Sequence, residues 1–391
     1  MISDSTSLVK KLSFPRYVGT EGELNAQNIL ENEFETKFPG KLQKDEFECS
    51  DFYMNYILRY FYNPICGLLI LLIFFGILFQ IYLLSFVLSM ILLPISFFGR
   101  EIRSYLQYRF DKFGRKYKSA NYWIKINSKI ENANKNVVLL AHYDSISFKF
   151  NPFFDGFIFL TALLGGTIVS IHFIISFLLF LSNVVILIDP LQYLYGLLIA
   201  LICIIQVFNS RGNNSDGTLD NASGVGVLFD VMDQYKNTPL NNFNLYLVAT
   251  GAEELGDWGA YYFIKRYKNE LPVKDTYFFV IDSIGYNKNL FIHSQGVPKH
   301  QFSPTLEPLI REIITESNNK FDLYPQYIPP FIHFGTDHVP IKPHGYEFMI
   351  FGSQAPIHCP KDNYSNFNPG LYLKFSDFIK FLLTRLDSSS I

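Results

Sequence analysis

Two histidines and five carboxylates stand where a chain of alternating strands and helices would place chemistry. The apolar run Val137–Ala141 exits into His142-Tyr143-Asp144, and Leu245–Thr250 exits into Gly251-Ala252-Glu253-Glu254. Tyr277–Ile281 is followed by Asp282, and Phe348–Phe351 leads through Gly352–Ile357 to His358. Asp220 opens the stretch DNASGVGVLFDVM, where Asn221 and Ser223 are natural helix caps. A single His or Asp at a strand end is a bland feature. Two His and five acids converging on one edge are hard to explain as structure, because unpaired acids repel and raise one another's pKa values. Divalent cations remove that conflict.

Imidazole and carboxylate ligands without thiolates suit a catalytic Zn²⁺ and, less well, Mn²⁺ or Co²⁺. Two metals about 3.5–4 Å apart need a bridging carboxylate and terminal ligands on each side. This set can supply one bridging acid, one His and one acid for each metal, and two further acids. Glu253 and Glu254 are adjacent, so their side chains point in different directions; one can bind metal while the other faces the attacking water. Asp144 lies two residues beyond His142, on the same strand side, and suits a partner that holds the imidazole. A glutamate near a metal can shuttle the water's proton to a leaving amine. The parts add up to metal-assisted hydrolysis of an amide.

The elements that must position these groups are short apolar runs. They are Tyr122–Ile126, Val137–Ala141, Leu245–Thr250, Tyr277–Ile281 and Phe348–Phe351. Helical patterns over Ala222–Gln234 and Ala260–Tyr267 alternate with them. This predicts an α/β sandwich with a largely parallel sheet. In such sheets sites form beyond the carboxyl ends of the strands.

The chain has 391 residues and only 17% charged ones, below the soluble norm of about 25%. The shortfall is local. Residues 60–99 contain no charge, and residues 150–210 contain only Asp155 and Asp189. Residues 65–98 would make one helix of about 51 Å, too long for a hydrocarbon core of about 30 Å. Two helices turning near Phe79–Tyr82 fit better. The second stretch divides into spans at about 156–182 and 191–208, around a turn at Asp189-Pro190. Arg59, Arg100, Arg103, Lys149 and Arg211 flank the outer ends, which predicts a cytoplasmic catalytic domain. Tyr53, Tyr56, Tyr60, Phe61 and Tyr62 are candidates for an interfacial aromatic belt. Residues 1–50 are polar and charged, unlike a signal peptide. A net charge of −2 gives no reason to expect nucleic-acid binding. The aromatic content excludes disorder. Cys49, Cys66, Cys203 and Cys359 form neither a disulfide framework nor a close zinc-ligand pair.

Seven segments in order resemble the M28 family of zinc peptidases. They are RYVGTEGE (Arg16–Glu23), AHYDS (Ala141–Ser145), LDNASGVG (Leu219–Gly226), GAEELGDWGA (Gly251–Ala260), IDSIG (Ile281–Gly285), GTDHVPI (Gly335–Ile341) and IHCPKDNYS (Ile357–Ser365). The resemblance implies a three-layer sandwich around a mixed, largely parallel sheet and a site for two Zn²⁺. His142 and Asp282 resemble ligands of one zinc, Glu254 and His358 ligands of the other, and Asp220 the bridge. Glu253 resembles the general base and acid, and Asp144 the carboxylate orienting His142. The family is mostly aminopeptidases, so removal of N-terminal residues from a peptide substrate is the expected activity.

The sequence departs from the family in two places. Seventy-eight residues separate His142 from Asp220, where soluble relatives have roughly a dozen, and the second apolar stretch fills the gap. Both inserts must leave and return on one face, so each must hold an even number of spans. The expected organisation is a peptidase domain in parts 1–63, 100–150 and 211–391, with transmembrane hairpins at 64–99 and 151–210. Second, Ile357 stands where some relatives carry a Tyr that stabilises the oxyanion, leaving Tyr364 or Tyr286 as weak substitutes.

Other residues carry blander expectations. Asp337 and His338 support the site wall, and Trp258 packs beneath the Glu253–Glu254 loop. His172 bonds a neighbouring helix, Asp155 and Asp189 sit at span ends, and Cys359 is inert. Three rival functions are a glutaminyl-cyclase-like acyl transfer with one zinc, a catalytically silent receptor or scaffold, and a transporter. The intact ligand set argues against a silent relative, and the scarcity of polar groups in the spans argues against a solute pathway.

Overall fold

A computed structural model describes residues 4–131, 133–150, 152–182, 190–296, 299–329 and 335–389. Its helices are α1 (Asp4–Lys11), α2 (Glu21–Lys37), α3 (Tyr62–Leu78), α4 (Tyr82–Phe97), α5 (Gly99–Leu106), α6 (Pro152–Leu160), α7 (Gly166–Leu181), α8 (Pro190–Ile205), α9 (Ser223–Tyr235), α10 (Trp258–Tyr267), α11 (Leu306–Glu316) and α12 (Pro369–Ser388). The strands are β1 (Gln43–Ser50), β2 (Lys116–Ile126), β3 (Lys135–His142), β4 (Ser147–Phe148), β5 (Arg211–Gly212), β6 (Phe243–Thr250), β7 (Thr276–Ile281), β8 (Asn289–Gln295), β9 (His300–Gln301), β10 (Leu323–Ile328) and β11 (Glu347–Ser353).

Among the described residues one nine-stranded sheet runs in the order β1-β2-β6-β3-β7-β11-β8-β10, with β9 beside β8. Its centre, β6-β3-β7-β11, is parallel. Towards the edges, β1–β2, β2–β6 and β11–β8 are antiparallel, and β8–β10 is parallel again. All five expected strands are present. The parallel ones are apolar without alternation because helices cover both faces. Odd-numbered residues of β3, such as Val137 and Leu139, join α1, α2, α9, α11 and α12 in one core. Val138 and Leu140 face α10 in the other. The α/β sandwich is therefore three layers deep. The edge strands β1 and β10, and β8 next to β10, were not expected from the sequence, since they lack an uninterrupted apolar run.

The inserts fold as apolar helices. The first turns between α3 and α4 at residues 79–81, where expected. The second comprises α6, a wide five-residue turn at Thr161–Gly165, α7 and α8. The expected Asp189-Pro190 turn lies at the boundary of the described residues, with Asp189 outside them. Two continuous helices, Tyr53–Leu78 and Phe153–Leu181, are long and apolar enough to cross a membrane; Tyr82–Phe97 and Tyr193–Phe208 are shorter. Packing is closest where side chains are smallest. A Cβ on Gly67 would lie 2.7 Å from the Ala200 carbonyl oxygen. Ser85, Ser89, Ser96 and Ser170 are buried inside, while Leu72, Phe75, Leu83, Ile168 and Leu201 point outwards. Among the described residues, His172 has its side-chain partner in its own helix and not in the neighbouring helix expected. Its ring nitrogen meets Ser176 of its own helix at 3.5 Å, because the two lie one turn apart on one face.

The RYVGTEGE segment closes the catalytic domain around the second insert. Buried Arg16 donates from Nε to the Tyr143 carbonyl (2.6 Å) and from Nη atoms to the Asp216 (2.7 Å) and Gly217 (2.8 Å) carbonyls. Its Nη1 also reaches the Leu12 and Phe14 carbonyls. Tyr143 precedes the insert and Gly217 follows it, so one guanidinium ties departure to return. Burial lowers this guanidinium to about 10, against the opposing pull of Asp362. Further along, Thr20 caps α2, and Glu23 accepts from Gly19 N–H (2.5 Å) and the Ser119 hydroxyl (2.7 Å). Burial pushes the Glu23 carboxyl up to about 7 despite these bonds.

Replacing Arg16 strands several buried carbonyls. Arg16→Ala is expected to lower unfolding free energy by about 3 kcal/mol, read by denaturant titration in detergent; an unchanged midpoint would remove the clamp. For Glu23, the folded chain holds a proton at pH values where the unfolded chain has released it. Its contribution to stability is full below pH 4.5 and lost as pH rises to about 7. Glu23→Gln should flatten that part of the stability–pH curve by up to roughly 3 kcal/mol. Parallel curves for the two proteins would refute it.

Candidate metal centre and active site

The four parallel strands deliver the expected residues to one edge. His142 closes β3, Glu253 and Glu254 follow β6, Asp282 follows β7, and His358 lies beyond β11. Asp220 enters from the loop before α9, where the Asp220–Asn221 peptide is cis. Its two oxygens face two rings: Oδ1 lies 3.0 Å from His142 Nε2, and Oδ2 lies 3.1 Å from His358 Nε2. His358 Nε2 is also 3.1 Å from Glu254 Oε2. His142 Nε2 lies 3.7 Å from Asp282 and 3.9 Å from Glu253. All seven expected residues are thus brought together.

Three groups among the described residues could hold a metal ion: the trios His142–Asp220–Asp282 and Asp220–Glu254–His358, which share Asp220, and the group His142–Glu253–Glu254. The donor set fits zinc. His142 Nε2 and Glu254 Oε1 are buried and have no hydrogen-bond partner among the described residues, as expected of atoms whose lone pairs are meant for a cation. Burial alone would lower the His142 imidazole, but Glu253, Asp144, Asp220 and Asp282 hold it well above its usual value. His358 is raised likewise against burial by Glu254 and Asp220. Asp220 is held well below the carboxylate range; burial opposes this, and bonds to both histidines outweigh it.

Asp144 holds the site in two ways. Its main-chain carbonyl lies 3.2 Å from His142 Nδ1, nearer than its carboxylate at 3.6 Å. The carboxylate instead accepts from the N–H groups of Glu253 (3.1 Å) and Glu254 (3.0 Å). It therefore fixes the turn carrying both glutamates. Trp258 packs under this turn with Ala252 and Leu255. Asp337 supports the wall as expected, accepting from Thr250 Oγ1 at 2.6 Å. Burial raises its carboxyl to about 7. Cys359 donates to the Pro356 carbonyl and belongs to neither trio.

The two weak candidates for an oxyanion donor gain no support. Tyr286 and Tyr364 pack against the core under the sheet, and neither lines the cavity above the trios. The Tyr364 ring is drawn away onto Phe367. Two residues that matter were overlooked, although both lie inside quoted motifs. Asp362 accepts from Leu219 N–H (2.6 Å) and Asp220 N–H (3.3 Å), and so fixes the backbone of the residue common to both trios. Asp257 is buried beside Glu253, and Gln107 donates to it at 2.6 Å. Burial raises both the Glu253 and the Asp257 carboxyl well above the usual carboxylate range.

The cavity over this edge measures about 1130 Å³. Glu253, Glu254 and His358 line it together with Phe98, Phe159 and Leu163 from the inserts.

The fold is that of zinc aminopeptidases and glutaminyl cyclases. Residues 205–382 match the model of Peptidase family M28. This segment holds Asp220, Glu253, Glu254, Asp282 and His358; His142 and Asp144 lie on the far side of the second insert. The chain is similar in fold to an aminopeptidase from Aneurinibacillus sp. strain AM-1, at 11% identity over 98% of this chain and 93% of that one, with a TM-score of 0.54. It is equally similar to Porphyromonas gingivalis glutaminyl cyclase, at 13% identity over 98% and 96%, with a TM-score of 0.53. BSAP, a zinc aminopeptidase from Bacillus subtilis, matches at 15% identity over 69% of this chain with a TM-score of 0.43, and the chain spans 50% of its length. No curated protein matches by sequence.

Ligand binding to the folded chain alone stabilises it. Zinc at about 100 times its dissociation constant should add about 2.7 kcal/mol, seen as a raised melting temperature. Asp220→Ala should abolish the rise; equal rises in both proteins would exclude Asp220 from the metals.

Proposed function

We propose that this chain is a membrane-anchored di-zinc peptidase that removes N-terminal residues from peptides. The observation that carries the reading is the pair of His–carboxylate trios meeting at Asp220. His142 and Asp282 would hold one zinc, Glu254 and His358 the other, and Asp220 both. Bound zinc supplies Lewis acidity to the scissile carbonyl and lowers the pKa of the attacking water. Glu253 takes the water's proton and returns it to the leaving amine. Asp257 beside it tunes that proton's position, and Asp144 keeps the glutamate turn and the His142 ring in register. A glutaminyl-cyclase-like reaction with one zinc would leave the His142–Asp220–Asp282 trio without a purpose.

The inserts support membrane anchoring through four spans, two at 64–99 and two at 151–210, within a peptidase domain formed by 1–63, 100–150 and 211–391. Small and hydroxylic residues inside and large apolar residues outside suit helices surrounded by lipid. Arg59 and Lys149 at the outer ends support a cytoplasmic catalytic domain. Arg103 and Arg211 contribute less to that bias than the sequence suggests, because both turn inwards and are buried or half-buried.

Glu253→Gln should keep two zincs per chain by elemental analysis while peptide hydrolysis falls at least about 100-fold. Undiminished hydrolysis would overturn the assignment of Glu253, and one zinc per chain would overturn the di-zinc reading.

A further inference from the structure

Each insert returns to the catalytic domain with an arginine that no part of the metal chemistry uses. Arg103 lies in α5, just after the first insert, and is 4% exposed. Arg211 opens β5, just after the second. Both line the same cavity as Glu253, Glu254 and His358. The Nε atoms of both are buried without a hydrogen-bond partner, and no ion pair among the described residues engages either guanidinium.

Their placement is built. Arg103 stacks over Phe159 at 4.5 Å, and Arg211 over Phe148 at 4.0 Å. Stacking occupies the planar faces and leaves the N–H edges for an anion. Arg103 also meets Tyr53, and Arg211 donates to the Asn209 carbonyl at 2.9 Å. The nearby Asp155 is already engaged, accepting from Gln206 (2.7 Å) and Asn209 (2.6 Å). Burial and the charges of Arg103 and Arg59 all disfavour the Arg211 cation, with Asp155 opposing. Asp155 is the nearby anion on the Arg211 side, and the unpartnered Nε edges of both guanidinium groups face the cavity wall.

Both are near the candidate metals. The Phe148 ring under Arg211 lies 4.4 Å from the His358 ring. Arg103 is one helical turn from Gln107, which donates to Asp257 beside Glu253. An extended dipeptide spans about 7 Å, short enough to lie within the one cavity that both arginines and the candidate metal residues line. A bidentate guanidinium–carboxylate contact matches its carboxylate end in shape and charge.

We infer that Arg103 and Arg211 form a receptor for the free C-terminal carboxylate of a substrate whose amino end lies at the metals, so that the inserts select dipeptides and other very short peptides. Phe98 and Leu163 in the same wall favour an apolar side chain. The inference rests on the peptidase reading and can fail separately from it.

The test uses the full zinc-loaded chain in detergent with Leu-Phe and its C-terminal amide. The free acid should show a kcat/KM at least 30-fold above the amide. That ratio should fall towards one in Arg103→Ala and Arg211→Ala and be partly retained in Arg103→Lys and Arg211→Lys. A ratio of two substrates on one preparation is insensitive to the fraction of folded protein. Independently of turnover, zinc-loaded Glu253→Gln should bind the acid at least tenfold tighter than the amide in calorimetric titration. Equal cleavage and equal binding of acid and amide would overturn the inference and leave the peptidase reading standing. Selective binding of the acid without cleavage of either would sustain the inference and overturn the peptidase reading. Failure to bind either, or Arg103-dependent displacement of the acid by phosphatidylglycerol, would overturn the inference.

Discussion

Carboxylates brought within a few ångströms of one another in a buried edge repel unless protons or cations lie between them. Asp220, Glu253, Glu254, Asp282, Asp257 and Asp337 gather around two imidazoles at the carboxyl edge of the sheet. That concentration of negative charge is the constraint around which the surroundings are arranged. Main-chain N–H groups are spent on fixing the acids that must not move, with Asp144 holding the glutamate turn and Asp362 holding Asp220. The remaining lone pairs point at one another across gaps that suit a metal and suit little else.

The inserts are compatible with this site because their entry and exit points are tied down. Arg16 joins the backbone on both sides of the second insert through charge-assisted bonds in a dry environment. The apolar helices then pack through small residues, as Gly67 against Ala200 illustrates. They can extend away from the sheet without disturbing the ligands. They also return to the cavity as wall, so that the same segments that suit a bilayer also shape what reaches the edge.

Much of the catalytic domain was legible in the sequence because its signals are local. A fully buried parallel strand reads as an uninterrupted apolar run, and the residue after it reads as a candidate ligand. Val137–His142 and Leu245–Glu254 both follow this rule. Strands β1 and β8–β10, at or near the sheet's edges, did not, because their residue types reflect pairing partners far along the chain. An oxyanion donor was not legible for a similar reason: Tyr364 stands near His358 in sequence, yet its ring packs on Phe367.

The sequence by itself determined the ligand types, their order along the chain, the apolar character of the inserts and their division into helices. Those properties follow from residue chemistry and periodicity. Only the tertiary structure decided that Asp220 faces both rings, that Asp144 presents its carbonyl to His142 and its carboxylate to the glutamate turn, and that Asp257 sits against Glu253. It alone turned Arg103 and Arg211 from flanking charges into the wall of the cavity. Each of these depends on contacts between segments separated by tens to hundreds of residues, and a side chain's direction there is set by what packs against it.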